Sequence, residues 1–332
     1  METRKVQVTG GSTYTVSLPK EWATANDVSA GSVVEFHSEE DLLLLSPRRE
    51  NDRVEGTLDI GGLEEDHELT RAVMTMYVSG FDVITLETAR ISAEQRRVIR
   101  DAVQGLVGLE VIEETSDRVV LQDLLDSSEL SVHNAITRMQ LVSLTMLEDA
   151  IDALIADDDD LAEDVKQRDE DVDRLWYMVS RVFRTVLRNP TAATDIGFPR
   201  ETVFDYQSSA RQLERIADHA TKIADLSLEI DAISGETAEK LRELQQEAVI
   251  VPETAMEALL TDESDDATEL ANEARGKIRA VDDLAREVDK QVREADPQSA
   301  QVLGLVVDSL SRTADYGGNI AESALQKAAP RP

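Results

Sequence analysis

Residues 213–225 read LERIADHATKIAD, and residues 310–322 read LSRTADYGGNIAE. Set in register with a shift of 97, the difference between 310 and 213, Leu213, Ala217, Ala220 and Ala224 fall on Leu310, Ala314, Gly317 and Ala321. Spacings of four, three and four place these residues on one core-facing stripe of a helix. Small residues on that stripe let a neighbouring helix come close. Asp218 falls on Asp315 and Asp225 on Glu322. One helical unit therefore occurs twice, and each copy carries acids beside its apolar stripe.

At about 100° per residue, Glu214, Asp218 and Asp225 lie within roughly 40° of one another. Stacked carboxylates repel unless a cation or protons compensate them. A second helix adds more. VDRL at 172 and VDDL at 281 put Asp173 and Asp282 one residue past a core Val, and Asp169 lies one turn before Asp173. Acids supplied by two packed helices are how helical bundles build carboxylate metal sites. All-oxygen ligation points to a hard cation such as Mg²⁺, Mn²⁺, Ca²⁺ or Fe³⁺. The competing reading is a solvated acidic face, since 68 of 332 residues are Asp or Glu. The repeat, the shared offset from the core stripe and the supply from two helices favour metal. His219 lies one position further round and reads as a packing or surface histidine.

Outward from this stretch, residues 128–329 are helical almost throughout. Val132, Ile136, Met139, Ser143, Met146, Ala150 and Leu154 keep a heptad-like spacing. A second helix spans about 159–188 and stops at Asn189–Pro190. A third starts at Pro199, the pattern begins again at SGETAEKLRELQQ, and a last helix starts near Pro297. The expected division is two three-helix sets, 128–232 and 235–329. Residues 50–125 read as a small α/β connector or regulatory domain. RVEGTLDI and FDVITLE are its strands, Ser92 caps one helix, and GLEVIEETSDRVVLQ forms a hairpin. Residues 1–47 read as β-rich: alternation from Lys5, a turn at Gly10–Gly11, more alternation, a short helix after Pro19, and two further strands.

Lys and Arg number 34 against 68 acids, a net charge of −34. Such a chain repels nucleic acid and anionic membranes on average. A high-salt cytoplasm, as in a halophile, explains this balance better than a dedicated acidic docking surface. Residues 1–49 carry five bases against seven acids, a net of −2, so DNA binding is conceivable there and hard to place elsewhere. Arg4 and Lys5 on the first strand and Lys20 after Pro19 are the bases available for it. With no cysteine, thiol catalysis and thiolate metal sites are excluded. The start is charged and alternating and has no signal-peptide pattern. The longest apolar runs are too short to span a bilayer. The expectation is a cytoplasmic protein without direct membrane insertion. It is also expected not to be an enzyme. Ferritin-like sites need Glu-x-x-His pairs on core helices. The nearest instance here, Glu64 and His67, falls in the α/β region.

The order strand, Gly turn, strand, LPKEW, VSAGSVVEF and LLLLSP resembles the AbrB/SpoVT swapped-hairpin family. That resemblance implies an intertwined homodimer, too small to bury a core alone, with possible binding to promoter DNA. RDEDVDRL followed by LERIADHATKIAD resembles the PhoU family. It implies two three-helix bundles in tandem, with repeated acid motifs that bind metal clusters. Carried over by position, the first bundle would use Asp169, Asp173, Glu214, Asp218 and Asp225, with Lys222 where the family often has Asn. The second would use Asp282, Asp315, Asn319 and Glu322. There Ser311 stands where an acid is expected and Ile278 at the position of Asp169, which makes it the weaker site. The resemblance implies a regulator of phosphate uptake and homeostasis acting through a phosphate ABC transporter or an associated signalling protein. The alternatives are a modulator of that transporter without DNA binding and, less favoured, a carboxylate metalloenzyme.

Overall fold

The computed structural model describes residues 3–39, 42–48, 53–63, 65–125, 131–231, 233, 235–294 and 296–330. The expected boundaries at 1, 50, 128 and 232, and Glu2, Glu40, Asp41, Arg49 and Glu64, lie outside the described residues. Two compact units result, Met1–Arg53 and Val54–Pro332.

In the first unit, β1 (Gln7–Thr9) pairs antiparallel with β2 (Thr13–Thr15). Gly10 and Gly11 make the turn at φ 65° and 80°, a region that glycine enters without a Cβ penalty. Arg4 and Lys5 precede β1 and are not on the strand. The opposite chain leaves the ladder after Thr15 on its way to Pro19, which has no N–H to offer. Helix α1 (Lys20–Ala25) follows, with Pro19 at its N-cap. β3 (Val34–Glu39) and β4 (Leu42–Pro47) form a second antiparallel hairpin. Val8, Tyr14, Phe36 and Leu43 stay more than half exposed. A module this short cannot cover its own apolar residues.

The second unit opens with β5 (Glu55–Asp59), α2 (Asp66–Val78), β6 (Val83–Glu87), α3 (Ala93–Gln104), β7 (Leu109–Glu114) and β8 (Arg118–Asp123). The sheet order is β5-β6-β8-β7. β5 and β6 are parallel and joined through α2; the other pairings are antiparallel. Ser92 and Gln95 form a reciprocal capping box at α3. Leu69, Val73, Tyr77, Ile84, Leu86 and Leu121 are its buried core.

The helices are α4 (Val132–Ala156), α5 (Asp159–Arg188), the short α6 (Pro190–Ile196), α7 (Arg200–Ser227), α8 (Gly235–Leu260), α9 (Ser264–Val292) and α10 (Pro297–Ala328). Local chemistry sets their ends. Ser131 Oγ accepts from Asn134 N, and Asp158 Oδ1 accepts from Leu161 N. Asp296 caps α10, with Pro297 at its first turn. The sequence reading stopped the chain at Asn189–Pro190 and missed α6. Proline breaks a helix interior but suits the first position of a new one.

α4, α5 and α7 form one three-helix bundle, and α8, α9 and α10 form the other; α7 and α10 pack side by side between them. His219 meets Tyr316, with ring centroids 5.6 Å apart and Nε2 3.3 Å from the hydroxyl. These two residues are equivalent under the 97-residue shift. A position that touches its own repeat places a pseudo-two-fold axis between the bundles.

The small-residue stripe is needed at Gly317. A Cβ there would come 2.5 Å from the backbone N of Pro252, which sits inside α8. Gly317→Ala is therefore expected to destabilise by about 1–3 kcal/mol, as overpacking does. Gly304→Ala, on the same helix with open space around it, gains up to about 1 kcal/mol from helix propensity. Thermal melts of the two variants should move in opposite directions.

Candidate metal centre

The structure brings Asp169 and Asp173 on α5 opposite Glu214 and Asp218 on α7. α5 and α7 pack on each other, and Val172, Leu213 and Ala217 are fully buried in one shared core. Each acid lies next to a buried position, so each is partly withdrawn from water. Burial raises the pKa of Asp169 to about 6, helped by the charges of Asp173 and Asp218. Asp173 is raised to about 6 by burial and by Asp218, while Arg211 and the approaching Tyr177 hydroxyl pull it back. Glu214 is raised to about 7, again first by burial and then by Asp218. Asp218 is raised by burial against the opposing pull of Arg211 and Arg215.

Glu214 is 7% exposed. Its Oε1 accepts from Arg211 Nη1 at 2.5 Å, and its Oε2 is buried with no hydrogen-bond partner. A buried carboxylate oxygen without a donor, beside Asp218 and Asp173, fits a cation. Among the described residues, however, no three His, Cys, Asp or Glu side chains converge on one point. The electrostatic coupling and this lack of convergence agree if the helices set the acids face to face and side-chain rotamers set the last ångströms.

Asp225 is not part of this group. It is exposed and pairs with Lys166 Nζ at 3.1 Å, which also holds Glu163. In the second bundle Asp315 is raised by burial, and Asp282 adds to that shift. Arg312 lies 3.5 Å from Asp315, and Arg275 lies 3.5 Å from Glu322. Asn319 turns away and donates to Gln212 Oε1 at 3.1 Å. The divergence of the repeats is paired. Asp169 and half-buried Thr221 in the first bundle correspond to Ile278 and Gly318 in the second. A Cβ on Gly318 would strike Ile278 Cδ1 at 2.6 Å. An apolar contact has taken the place of a polar one.

Residues the sequence reading missed are Tyr177, one turn beyond Asp173, and Arg211, one turn before Glu214. Arg211 also lies over the Trp176 ring, 5.3 Å from its centroid. Their helical spacing from the acids was the available signal. His219 packs on Tyr316, and burial lowers its pKa. Arg4, Lys5 and Lys20 are exposed, Lys20 as the first residue of α1.

The raised carboxylates make stability depend on pH. Their folded pKa values exceed the ordinary 3.8 and 4.5, so the folded state binds protons more readily than the unfolded one. That contribution is complete below about pH 4 and is lost as pH rises through 6 and 7. In chelator, the parent should lose stability relative to Glu214→Gln between about pH 4 and 7. Parallel Tm profiles would show that Glu214 titrates normally.

Two family models match the chain. The PhoU domain covers residues 136–227, and the model described as antidote-toxin recognition MazE, bacterial antitoxin, covers residues 7–53. The chain carries a PhoU domain behind a MazE/AbrB-like module. The PhoU match spans α4, α5 and α7, the bundle that holds the four facing acids. The phosphate-specific transport system accessory protein PhoU homologue of Pseudomonas putida is 28% identical over 183 residues, covering 53% of this chain and 69% of the relative. The homologue from Pseudomonas aeruginosa is 25% identical over 182 residues, covering 53% and 73%. The crystal structure of PhoU from Pseudomonas aeruginosa aligns with a TM-score of 0.51 at 22% identity, covering 60% of this chain and 96% of that one. At that identity the likeness establishes the PhoU-like fold of the bundles.

Proposed function

We propose that this protein is a regulator of phosphate uptake and not an enzyme, a PhoU-like accessory to a phosphate transporter or to its signalling partner. The observation that carries this is the tandem acid-bearing bundle, joined to relatives that are accessory proteins of phosphate-specific transport. Asp169, Asp173, Glu214 and Asp218 would hold the metal, a hard cation of the Mg²⁺, Mn²⁺, Ca²⁺ or Fe³⁺ kind. Asp282, Asp315, Asn319 and Glu322 would form a weaker second site, and Asp225 would join the first only by leaving Lys166. No helix among the described residues is long and apolar enough to cross a membrane, which suits a cytoplasmic partner of a membrane transporter. Deleting the gene in its host should raise labelled-phosphate uptake in phosphate-rich medium. Re-expressing the full chain should restore it. Uptake that stays repressed after deletion overturns the proposal.

The first unit acts as a dimerisation module in this reading, since its exposed Val8, Tyr14, Phe36 and Leu43 need a second copy to cover them. Deleting residues 1–47 should lower the mass in light scattering by at least half and leave the helical remainder folded. An unchanged mass places the interface elsewhere. Promoter binding through Arg4, Lys5 and Lys20 is the fuller reading. The net charge of −34 favours the second one, modulation without DNA. Gel shifts on phosphate-transporter promoters over a salt series, with Arg4→Ala/Lys5→Ala alongside, separate the two.

A further inference from the structure

The acidic chain uses its scarce cations sparingly. Arg96 is held by Glu114, Arg168 by Asp149, and Arg242 by Asp152. Arg71 on α2 and Arg184 on α5 are different. Both are exposed and line the same cavity of about 370 Å³, and neither forms a hydrogen bond or ion pair with any described residue. Two unpaired guanidinium groups at one concavity repel each other and gain from a shared anion.

The ground beneath them suits one. The cavity sits at the C-terminal end of α2, where bare carbonyls would oppose negative charge. Those carbonyls are already capped: Tyr77 O accepts from Arg181, and Ser79 O accepts from Arg188. Arg181 is in turn neutralised by Asp82 and Asp123, and Asp173, which meets the Tyr177 hydroxyl, forms no ion pair with Arg71 or Arg184 among the described residues. Met74, Val78 and Tyr177 supply an apolar wall. The volume lies at the small end of ligand cavities.

We propose that this cavity between α2 and α5 binds a phosphoryl group, free or carried on a small organic body. Two guanidinium forks match a dianion with several acceptor oxygens better than a single carboxylate. A phosphomonoester is largely dianionic at pH 7. The site rests on the cavity residues alone, so its failure leaves the transport role untouched, and the reverse also holds.

The test is isothermal titration of the full chain in low-chloride buffer with orthophosphate and, separately, with phenyl phosphate. One site per chain is expected for at least one of them. Binding by both, with phenyl phosphate tighter, identifies an organic phosphate that uses the apolar wall. Binding by orthophosphate alone identifies the free anion. Arg71→Ala and Arg184→Ala should each weaken binding roughly ten- to hundred-fold, the scale of a charge-assisted hydrogen bond. Arg279→Ala, on α9 in the other bundle, removes the same charge and should leave it unchanged. Both arginines are exposed, so these variants are expected to fold, and circular dichroism checks it. No binding of either probe overturns the proposal. So does affinity that survives Arg71→Ala/Arg184→Ala.

Discussion

Arg181→Ala should destabilise the Val54–Pro332 unit by about 3–5 kcal/mol, the usual result of removing one partner from a buried ion pair. The guanidinium is 5% exposed and Asp123 is 8% exposed. Arg181 donates to Tyr77 O at 2.9 Å, Phe81 O at 2.8 Å, Asp82 Oδ1 at 2.8 Å and Asp123 Oδ2 at 2.8 Å. It also lies 5.0 Å from the centroid of the Tyr77 ring. One side chain on α5 thus closes the end of α2, the entry to β6 and the end of β8. Alanine leaves the Asp123 carboxylate buried without its cation and Phe81 O without the Arg181 donor, while Tyr77 O keeps the Gly80 N–H; the lost partners carry a desolvation cost. Arg181→Lys should recover little, because a single ammonium cannot span four acceptors set by a planar fork. Arg181→Met/Asp123→Leu should cost less than Arg181→Ala, since replacing both charges leaves none unpaired. Urea unfolding followed by circular dichroism measures all three. A loss below about 1 kcal/mol for Arg181→Ala would mean that water reaches the pair and screens it.

Glu214→Ala/Asp218→Ala should abolish most of the metal carried by the protein through gel filtration, as read by elemental analysis. It should also remove the stabilisation that metal gives. A ligand at about 100 times its dissociation constant stabilises the folded state by about 2.7 kcal/mol, and a thermal-shift titration with Mg²⁺, Mn²⁺ and Ca²⁺ reads that effect directly. Without metal, the variant should be at least as stable as the parent at pH 7. Glu214 is raised by burial and by Asp218, so deleting both charges relieves repulsion. Asp315→Ala/Glu322→Ala should lower bound metal far less. Arg312 and Arg275 already stand beside those acids, Asn319 is turned to Gln212, and Ile278 fills the place of Asp169. Equal metal content in parent and Glu214→Ala/Asp218→Ala would reduce the four acids to a solvated face.

Much of this protein was legible along the chain because its signals are local. The 97-residue echo, the Pro and Asn stops, the Ser92 cap and the strand alternation all act within a few residues. Helix period alone aligned Glu214 with Asp218 and Asp169 with Asp173. Period could not say which aligned acid would find a cation on another helix. Asp225 keeps the right angle to Glu214, yet Lys166 on α5 reaches it. Asn319 keeps the right place in the repeat, yet Gln212 of the other bundle takes its amide. The start of β1 at Gln7, beyond Arg4 and Lys5, depended on where the opposite chain departs. The burial of Arg181, the axis at His219 and Tyr316, and the cavity between Arg71 and Arg184 each join residues about a hundred positions apart. Spacing carries no record of such pairs, because they follow from which helix faces meet once the layers have packed.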